Sequence, residues 1–273
     1  MQAYKLNLSI ILPTFNEEKN MQVWLIEVFN ELNKLSFLDF EIIVVDDSST
    51  DGTREALIEI SKSKNNLKYI FRNMPRSLPL SIFEGINEAS KDSILWLDAD
   101  GSMDTDSIIL LIEKFIKENK SSVVVGSRFV KGGGYKGKVS SGNQGFLQNL
   151  KESEDSPLAI FLSLIFNKIL SKILKLEIND LTSGFLIGPK KFFSKEMFDK
   201  SVYGEYFIKV ITKLKLKNVD IVEVGYYCKP RIYGESKTST NFLRLINLSK
   251  PYIKEAFLSR SEIKRYSKDK YHL

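Results

Sequence analysis

The first 125 residues alternate short apolar runs with stretches of helical periodicity, and this alternation constrains the fold more than any other feature of the chain. Runs rich in β-branched residues predict strands, and apolar side chains that recur every three or four positions predict helices. The predicted strands are Leu8–Leu12, Ile42–Val45, Leu67–Phe71, Ile94–Leu97 and Val123–Val125, and the predicted helices are Glu17–Leu35, Thr53–Ile60, Leu78–Ala89 and Asp104–Lys117. This order predicts an α/β fold with a single, mostly parallel central sheet and helices on both faces.

Acid-bearing polar segments follow three of the predicted strands. They are Pro13–Glu17 after the first strand, Asp46–Thr53 after the second and Asp98–Gly101 after the fourth. The carboxyl ends of parallel strands meet at one edge of the sheet, and ligands of such sheets bind beyond that edge. Carboxylates gathered in one place repel each other unless a cation lies between them. The sequence therefore predicts a ligand and cation site at this edge. In the first of these segments, Asn16 is predicted to be the N-cap of the first helix.

Asp98 and Asp100 are separated by one residue and come directly after an apolar strand. Two carboxylates at such a position present hard oxygen ligands, which Mg²⁺ and Mn²⁺ prefer together with phosphate oxygens. A diphosphate leaving group requires such a cation to neutralise the charge that develops on it. An Asp-x-Asp sequence also occurs in solvated turns, but its place beside two other acidic loops favours a metal site.

Asp46 and Asp47 follow the second strand, where a carboxylate can accept hydrogen bonds from a nucleotide base or ribose. The alternative for one of them is an ordinary turn or helix-cap role. A hydrogen-bonding role for either residue places the nucleoside beside the first two strands.

Basic side chains later in the chain are candidates for phosphate binding. Arg231, Ser236 and Lys237 belong to a glycine-containing loop that can clamp a phosphate, and Arg128 follows the fifth strand. Taken singly, each of these basic residues is more often an ordinary surface charge.

Cysteine and histidine are nearly absent, and their scarcity excludes several catalytic mechanisms. The chain contains one cysteine, Cys228, and one histidine, His272. An intramolecular disulfide, a zinc-binding cysteine cluster and a histidine-rich metal site are therefore excluded, as are serine–histidine and cysteine–histidine mechanisms. Any catalysis has to use carboxylates, hydroxyl groups, lysine, arginine and backbone groups.

Charge and hydropathy bear on the partners of the chain. The formal charge is +6, and residues 241–273 hold eight basic and three acidic side chains, which suits an anionic surface unless this segment is simply a solvated terminus. Acidic loops at the predicted site argue against nucleic acid as a partner. No apolar run is long enough to cross a bilayer, and the N-terminus lacks the pattern of a signal peptide. We therefore expect a cytoplasmic protein that binds peripherally at the inner face of the membrane.

A further helix is predicted over Leu158–Leu176, followed by a helix near Phe207–Lys217 and a strand at Asp220–Val224. The apolar side of the first of these helices consists of Leu162, Ile165, Ile169 and Ile173. This side is expected either to lie in the membrane interface or to pack on the core or a partner subunit.

Six segments, taken in order, resemble glycosyltransferase family 2, in the branch of the dolichyl-phosphate mannosyltransferases and polyprenyl-phosphate sugar transferases. They are Leu12–Glu17, Val44–Thr53, Trp96–Asp100, Val125–Phe129, Asp180–Phe185 and Arg231–Lys237. The resemblance implies one GT-A domain over residues 1–240 and a basic amphipathic tail over residues 241–273. It also implies transfer of a hexose, mannose or glucose, from a nucleotide diphosphate sugar to a polyprenyl or dolichyl phosphate, with inversion at the sugar carbon.

The same resemblance implies roles for individual residues. The nucleotide sugar would be held by Pro13, Thr14, Phe15, Glu17, Asp46, Asp47 and Asp98. Mg²⁺ or Mn²⁺ would be bound by Asp98 and Asp100, the phosphates by Arg128, Arg231, Ser236 and Lys237, and the catalytic set would be Asp98, Asp100 and Arg231. The chain departs from the branch at Gly101–Asp104 and at Phe207–Val210, which leaves the sugar and the acceptor open. Asp180 and Glu205 are candidates for the acceptor side, where Glu205 would replace a missing acid.

A lipid phosphate acceptor also has a chemical argument. A sugar hydroxyl normally needs a general base, whereas a monophosphate with a second pKa of about 6 is already largely anionic at neutral pH. The alternative is a glycosyltransferase of the same fold that acts on a hydroxyl of a glycan, a polysaccharide or a small molecule, with Glu205 or Asp180 as the base. A catalytically inactive subunit that only binds nucleotide sugars is disfavoured, because the residues predicted to bind the metal and the phosphates are intact. A homo-oligomer and a membrane-protein partner are both left open.

Overall fold

The computed structural model describes residues 5–134, 157–229, 231–233 and 242–270. Within these ranges, seven strands form one sheet in the order β3-β2-β1-β4-β6-β5-β7. The strands are β1 (Leu6–Thr14), β2 (Leu38–Asp46), β3 (Leu67–Phe71), β4 (Ser93–Trp96), β5 (Val123–Ser127), β6 (Leu186–Pro189) and β7 (Ile221–Gly225). Nearly continuous burial along β1, β2, β4 and β5 explains why their sequences are apolar runs without alternation.

Parallel pairing dominates the sheet, as predicted. β1 lies parallel to both β2 and β4, with Thr14 opposite Asp46 and Ile11 opposite Trp96. β2 is also parallel to β3, and β5 is parallel to β7. β6 runs antiparallel to both of its neighbours, β4 and β5. The carboxyl ends of β1, β2 and β4 therefore share one edge with the amino end of β6.

The helices lie close to the positions predicted from periodicity. α1 begins at Glu18–Asn20, continues as a π-helical segment at Met21–Leu25 and ends with Ile26–Leu32. The others are α2 (Thr53–Ser61), α3 (Leu78–Glu88), α4 (Thr105–Lys117), α5 (Pro157–Leu174), α6 (Tyr206–Leu216) and α7 (Phe242–Lys270), with 3₁₀ turns at Lys190–Phe192 and Lys195–Met197. Asp104 caps α4, because its side chain accepts a hydrogen bond from the backbone N of Ser107 at 3.0 Å.

Two apolar clusters cover the two faces of the sheet. α1, α2 and α4 contribute to one cluster through buried side chains such as Trp24, Leu57 and Phe115. α3, α5 and α6 contribute to the other, together with Ala256 of α7. Helices on both faces of a mostly parallel sheet confirm the predicted α/β class.

The predicted capping role of Asn16 is wrong. Its φ of +55° takes it out of the helical path, and the N-cap position of α1 is Glu17, without a side-chain cap. The side-chain oxygen of Asn16 instead accepts a hydrogen bond from the backbone N of Thr50 at 2.8 Å. Asparagine tolerates this left-handed backbone, and here it joins the loop after β1 to the loop after β2.

α5 has two different apolar sides. Its buried side packs on the core through Leu170 and Leu174, and Ile160 and Asn167 are also buried. Phe161, Ile165 and Ile169 recur every four residues on another side and are 49%, 36% and 47% exposed. Of the apolar side predicted from the sequence, Ile165 and Ile169 therefore face away from the protein. Ile173 of the predicted side does pack against the core, beside Leu170 and Leu174.

α7 packs against α5 and α6, so that residues 242–270 are not a solvated terminus. Ala256 and Ser259 are buried, and Lys213 of α6 forms an ion pair of 2.5 Å with Glu262. The division of the chain into two parts at residue 240 stays a prediction. Among the residues that the structure describes, no helix combines the length and apolar character that crossing a bilayer requires.

Candidate active site

A cleft opens beyond the carboxyl ends of β1, β2 and β4, at the edge where the sequence predicts a ligand site. Its lining consists of Pro13, Thr14, Phe15, Glu17, Asp47, Arg76, Ser77, Leu78, Ser81, Asp98, Ala99, Asp100, Val202, Tyr203 and Arg231. Eight of these residues belong to the set predicted from the sequence. A larger cleft of about 840 Å³, lined by residues such as Asn7 and Ser93 at the start of β1 and β4, contains none of them.

Hydrogen bonds between loops fix the side of the cleft that is formed by the segments after β1 and β2. The backbone N of Asp47 donates to the carbonyl of Thr14 at 2.8 Å, which extends the pairing of β1 with β2 by one residue. The backbone N of Glu17 donates to the hydroxyl of Thr53 at 2.9 Å. Because each loop holds the other, Pro13–Glu17 and Asp47 form one wall of the cleft.

The side chains of Asp46 and Asp47 have different environments. Asp46 is fully buried, and its carboxylate accepts a hydrogen bond from Nε of Arg54 at 2.6 Å. Asp47 lines the cleft and accepts a hydrogen bond from the backbone N of Ser77 at 2.7 Å, while Arg72 forms a buried ion pair with its other oxygen. Of the two predicted nucleoside ligands, only Asp47 therefore lines the cleft.

Asp98 and Asp100 both lie in the cleft, in different environments. Asp98 is exposed, whereas Asp100 is buried and accepts a hydrogen bond from the backbone N of Ser102 at 2.9 Å. Nε of Arg231 lies 3.0 Å from the other carboxylate oxygen of Asp100. These two contacts fix the orientation of the Asp100 carboxylate, and they bring a predicted phosphate ligand next to the predicted metal ligands.

The loop that carries Arg231 is attached to the loop after β4. The backbone N of Ile232 donates to the carbonyl of Asp100 at 3.2 Å, and Lys229 forms an ion pair with Asp104. Burial alone would raise the pKa of Asp104, but hydrogen bonds from Lys229 and Ser107 outweigh that effect and lower it. Gly101 permits this contact, because its φ is +74° and a Cβ would lie 2.6 Å from the side chain of Ile232.

Two of the predicted phosphate ligands, Ser236 and Lys237, lie outside the described residues. Arg128 is described, but its guanidinium group binds Asp180, at 2.7 Å for each of two contacts. The Asp180 side chain is completely buried, and its carboxylate also accepts a hydrogen bond from the backbone N of Arg128 at 3.0 Å. The structure thus brings Arg128 and Asp180 together, and neither of them lines the cleft among Asp98, Asp100 and Arg231.

Glu205 is buried under the rim of the cleft. Its two carboxylate oxygens accept hydrogen bonds from the backbone N of Val202 at 2.6 Å and from the backbone N of Tyr203 at 2.9 Å. Glu205 itself does not line the cleft, whereas Val202 and Tyr203 do. Glu205, which the sequence suggests as a base, therefore binds two backbone N–H groups and fixes the conformation of this rim.

Seven cleft residues were not identified from the sequence, and they include Arg76, Val202 and Tyr203. The guanidinium carbon of Arg76 lies 3.3 Å from the ring centre of Phe15, in a cation–π contact. A signal for Arg76 exists, because it lies in a polar loop directly after the strand Leu67–Phe71, at the same edge as the acidic loops. Val202 and Tyr203 have no such signal, since they follow no predicted strand.

The donor set at Asp98 and Asp100 fits a divalent cation. Among the residues that the structure describes, no group of three or more histidine, cysteine or acidic side chains is arranged to hold a metal. A pair of carboxylates beside a cleft is nevertheless what Mg²⁺ requires from a protein when phosphate oxygens and water supply its other ligands. The exposure of Asp98 and the fixed orientation of Asp100 agree with this requirement.

Two curated relatives match parts of this chain in sequence. A dolichol-phosphate mannosyltransferase of Pyrococcus furiosus is 34% identical over 235 residues, which are 85% of this chain and 59% of that protein. A poly-beta-1,6-N-acetyl-D-glucosamine synthase of Staphylococcus epidermidis is 32% identical over 120 residues, which are 44% of this chain and 28% of that protein. The chain thus spans less than two thirds of the length of these curated relatives.

Solved structures share the fold at low sequence identity. Glucosyl-3-phosphoglycerate synthase from Mycobacterium tuberculosis, in complex with Mn²⁺, UDP and glucosyl-3-phosphoglycerate, has a TM-score of 0.60 at 14% identity, over 93% of this chain and 80% of that one. Residues 1–349 of Staphylococcus aureus TarS have a TM-score of 0.51 at 22% identity, over 82% of this chain and 60% of that one. The model of the family described as "Glycosyl transferase family 2" matches residues 9–200. The chain therefore belongs to glycosyl transferase family 2 and has the GT-A fold that its sequence predicts.

Proposed function

We propose that the chain transfers a hexose, mannose or glucose, from a nucleotide diphosphate sugar to a polyprenyl or dolichyl phosphate, with a divalent metal and with inversion at the sugar carbon. The observation that carries this proposal is one cleft that combines Asp47, the Asp98–Asp100 pair and Arg231. The order of these side chains along the cleft matches the order of the nucleoside, the diphosphate and the sugar in such a donor. The similarity to a dolichol-phosphate mannosyltransferase supports the choice of acceptor.

The nucleoside end of the donor is assigned to the loops after β1, β2 and β3. Asp47 supplies a carboxylate that can accept hydrogen bonds from a base or ribose. The Phe15 ring and the Arg76 guanidinium group supply flat surfaces against which a base can stack. Asp46, which is buried against Arg54, would support this wall without touching the ligand.

The diphosphate is assigned to the centre of the cleft. Asp98 and Asp100 would hold Mg²⁺ or Mn²⁺, which, when bound, neutralises negative charge on the leaving nucleoside diphosphate. Arg231 supplies a positive charge at the same place, and its contact with Asp100 keeps the guanidinium group directed into the cleft. Arg128 is proposed as a support of the loop after β5, because its guanidinium group already binds Asp180.

The contacts that Asp180 and Glu205 already make within the protein support a phosphate acceptor. A hydroxyl acceptor requires a side chain that can take up a proton. Asp180 is fully buried in an ion pair with Arg128, Glu205 accepts two backbone hydrogen bonds, and neither residue lines the cleft. An acceptor phosphate needs no such base, because it is already anionic at neutral pH.

Access to a lipid acceptor is assigned to the exposed stripe of α5. Phe161, Ile165 and Ile169 form an apolar line, and the exposed lysines Lys168 and Lys172 lie on the same helix. An exposed apolar stripe beside basic side chains suits the interface of an anionic membrane, in which the helix lies parallel to the surface. The chain would then bind peripherally at the cytoplasmic face.

A second candidate acceptor is a hydroxyl of a glycan or polysaccharide. The similarity to a poly-beta-1,6-N-acetyl-D-glucosamine synthase favours it, although this similarity extends over less than half of the chain. The two candidates require different acceptors and the same donor site.

Transfer assays distinguish them. The purified full chain is incubated with Mn²⁺ or Mg²⁺, with GDP-mannose or UDP-glucose, and with either polyprenyl phosphate in detergent or soluble saccharides. We expect a glycosylated polyprenyl phosphate, and we expect the product to be lost in Asp98→Asn. Glycosylation of saccharides without any glycosylated lipid would overturn the proposed acceptor.

A further inference from the structure

Tyr203 is a half-exposed aromatic residue at the rim of the candidate active site. It lines the cleft together with Asp98, Asp100 and Arg231, and 53% of its surface is exposed. Its side chain is therefore accessible from the cleft.

The backbone of the rim is fixed from below by Glu205. The two oxygens of its carboxylate accept hydrogen bonds from the backbone N of Val202 and the backbone N of Tyr203. Only an ionised carboxylate offers two equivalent acceptors for this purpose, because an amide offers one oxygen and one donor. Glu205 is 5% exposed, so these bonds are shielded from competing water.

α7 supports the same rim from a second direction. A Cβ on Gly204 would lie 2.0 Å from the hydroxyl oxygen of Tyr252, so the tyrosine of α7 packs directly against the glycine backbone. The Tyr252 ring in turn packs edge-on against Phe166 of α5, with 5.9 Å between the ring centres. The segment Val202–Glu205 is thus held by a carboxylate and by a helix contact. Tyr203 is presented to the cleft on a fixed backbone.

The order of groups in the cleft indicates what Tyr203 contacts. Asp47, Phe15 and Arg76 occupy the nucleoside side, and Asp98, Asp100 and Arg231 occupy the centre. The transferred sugar is bonded to the outer phosphate, so it lies next to this centre. One face of a pyranose carries mainly C–H groups, which pack well against the electron-rich face of an aromatic ring.

We propose that Tyr203 contacts the transferred sugar of the donor, with its ring against the C–H face of the pyranose, and that Glu205 is a positioning residue that holds Tyr203 there. This inference rests on the proposed function, because it assumes that the cleft binds a nucleotide diphosphate sugar. It assigns to Glu205 a role in donor binding and not the role of a base for the acceptor.

Calorimetric titration of the full chain with Mn²⁺ tests the inference without any acceptor. The probes are GDP-mannose and UDP-glucose, each compared with the nucleoside diphosphate that lacks the sugar. We expect Tyr203→Ala to weaken binding of the nucleotide sugar by about fivefold to tenfold and to change binding of the nucleoside diphosphate by less than about twofold. Tyr203→Phe keeps the ring and is expected to bind like the unchanged chain.

Two further variants separate positioning from direct contact. Glu205→Gln removes one of the two equivalent acceptors, and we expect it to weaken binding of the nucleotide sugar alone, by about threefold. Tyr266→Ala removes a tyrosine of similar exposure from a distant part of α7, and both affinities are expected to stay unchanged. Because Tyr203 and Tyr266 are both exposed, their removal is not expected to unfold the chain.

The possible failures are distinguishable. If the unchanged chain binds a nucleotide sugar, and Tyr203→Ala alters both affinities equally or neither of them, the inference is overturned and the proposed donor site stands. If the unchanged chain binds neither the nucleotide sugars nor the nucleoside diphosphates, the proposed function and the inference fall together.

Discussion

The guanidinium group of Arg128 binds the carboxylate of Asp180 at two points, with Nε 2.7 Å from Oδ2 and Nη2 2.7 Å from Oδ1. The pair joins the loop after β5 to the segment before β6, and the Asp180 side chain is fully shielded from water. Removal of one partner of such a pair leaves the other charge buried without compensation.

From this pair we expect Asp180→Asn to lower the free energy of unfolding by about 3 kcal/mol, because the guanidinium group of Arg128, whose side chain is only 14% exposed, loses its counter-charge. Urea denaturation at neutral pH measures the change. Asp92→Asn, at an exposed aspartate, serves as the control and is expected to leave the urea midpoint unchanged. An unchanged midpoint in Asp180→Asn would contradict the structural role and would favour Arg128 as a phosphate ligand.

Asp100 provides a test of the metal site. Thermal unfolding of the full chain is followed with a nucleotide sugar in the presence and absence of Mn²⁺, because a bound ligand raises the midpoint by mass action. We expect Asp100→Asn to abolish the metal-dependent part of this rise. Asp106→Asn changes an exposed aspartate on α4 and is expected to retain the full rise. A full rise in Asp100→Asn would remove Asp100 from the metal site.

Periodicity predicted most of the fold because burial on a sheet or a helix leaves a local trace. The strand Leu67–Phe71 has the predicted limits, and α2 differs from its prediction by one residue. The position of Asp98 and Asp100 in the cleft was predictable for the same reason, since both follow a buried strand directly. The location of such residues can be predicted from the few positions of sequence around them.

The remaining features depend on contacts between distant parts of the chain. Arg128 and Asp180 are 52 positions apart, so the sequence alone does not show that their side chains form an ion pair. Which of Asp46 and Asp47 lines the cleft is decided by the direction of two adjacent side chains at a strand end. The core-facing side of α5 was not predictable either, because apolar residues such as Leu170 and Ile169 occur on both its buried and its exposed sides.

Glu41 gives the stability of the chain a defined dependence on pH. It accepts hydrogen bonds from the hydroxyl of Ser9 at 2.6 Å and from the backbone N of Ser90 at 2.6 Å, and it pairs with Lys68 at 3.0 Å. Burial alone would raise the pKa of Glu41, but these contacts outweigh it and lower the pKa from 4.5 to about 2. The folded state therefore holds this proton less tightly than the unfolded state.

A lowered pKa stabilises the fold above the unfolded value of about 4.5, and this stabilisation is lost as the pH falls towards 2. We expect Glu41 to contribute roughly 3 kcal/mol at neutral pH, and we expect Glu41→Gln to flatten the decline in stability between about pH 5 and pH 2. Urea denaturation across this range measures the effect. Glu88→Gln, at an exposed carboxylate, should reproduce the decline of the unchanged chain, and an equally steep decline in Glu41→Gln would contradict the assignment.

The exposed stripe of α5 provides a test of membrane binding. We expect the double change Ile165→Glu and Ile169→Glu to reduce sedimentation with anionic phospholipid vesicles by about tenfold or more, because two apolar contacts with the acyl region become charged. The thermal midpoint should not change, since both side chains are exposed. Ile58→Glu, at a residue of α2 that is 42% exposed, should bind vesicles normally. Undiminished binding of the double variant would exclude α5 as the contact.

The reversed direction of β6 decides at which edge of the sheet the segment before it lies. In a purely parallel sheet, each strand sends only its following segment to the edge where ligands bind. β6 enters the sheet at that edge, so the residues that precede it, Asp180–Phe185, lie at the same edge as the loop that follows β5. Changes in Asp180–Phe185 therefore act at the edge of the sheet that carries the cleft, whereas changes just after Pro189 act at the opposite edge.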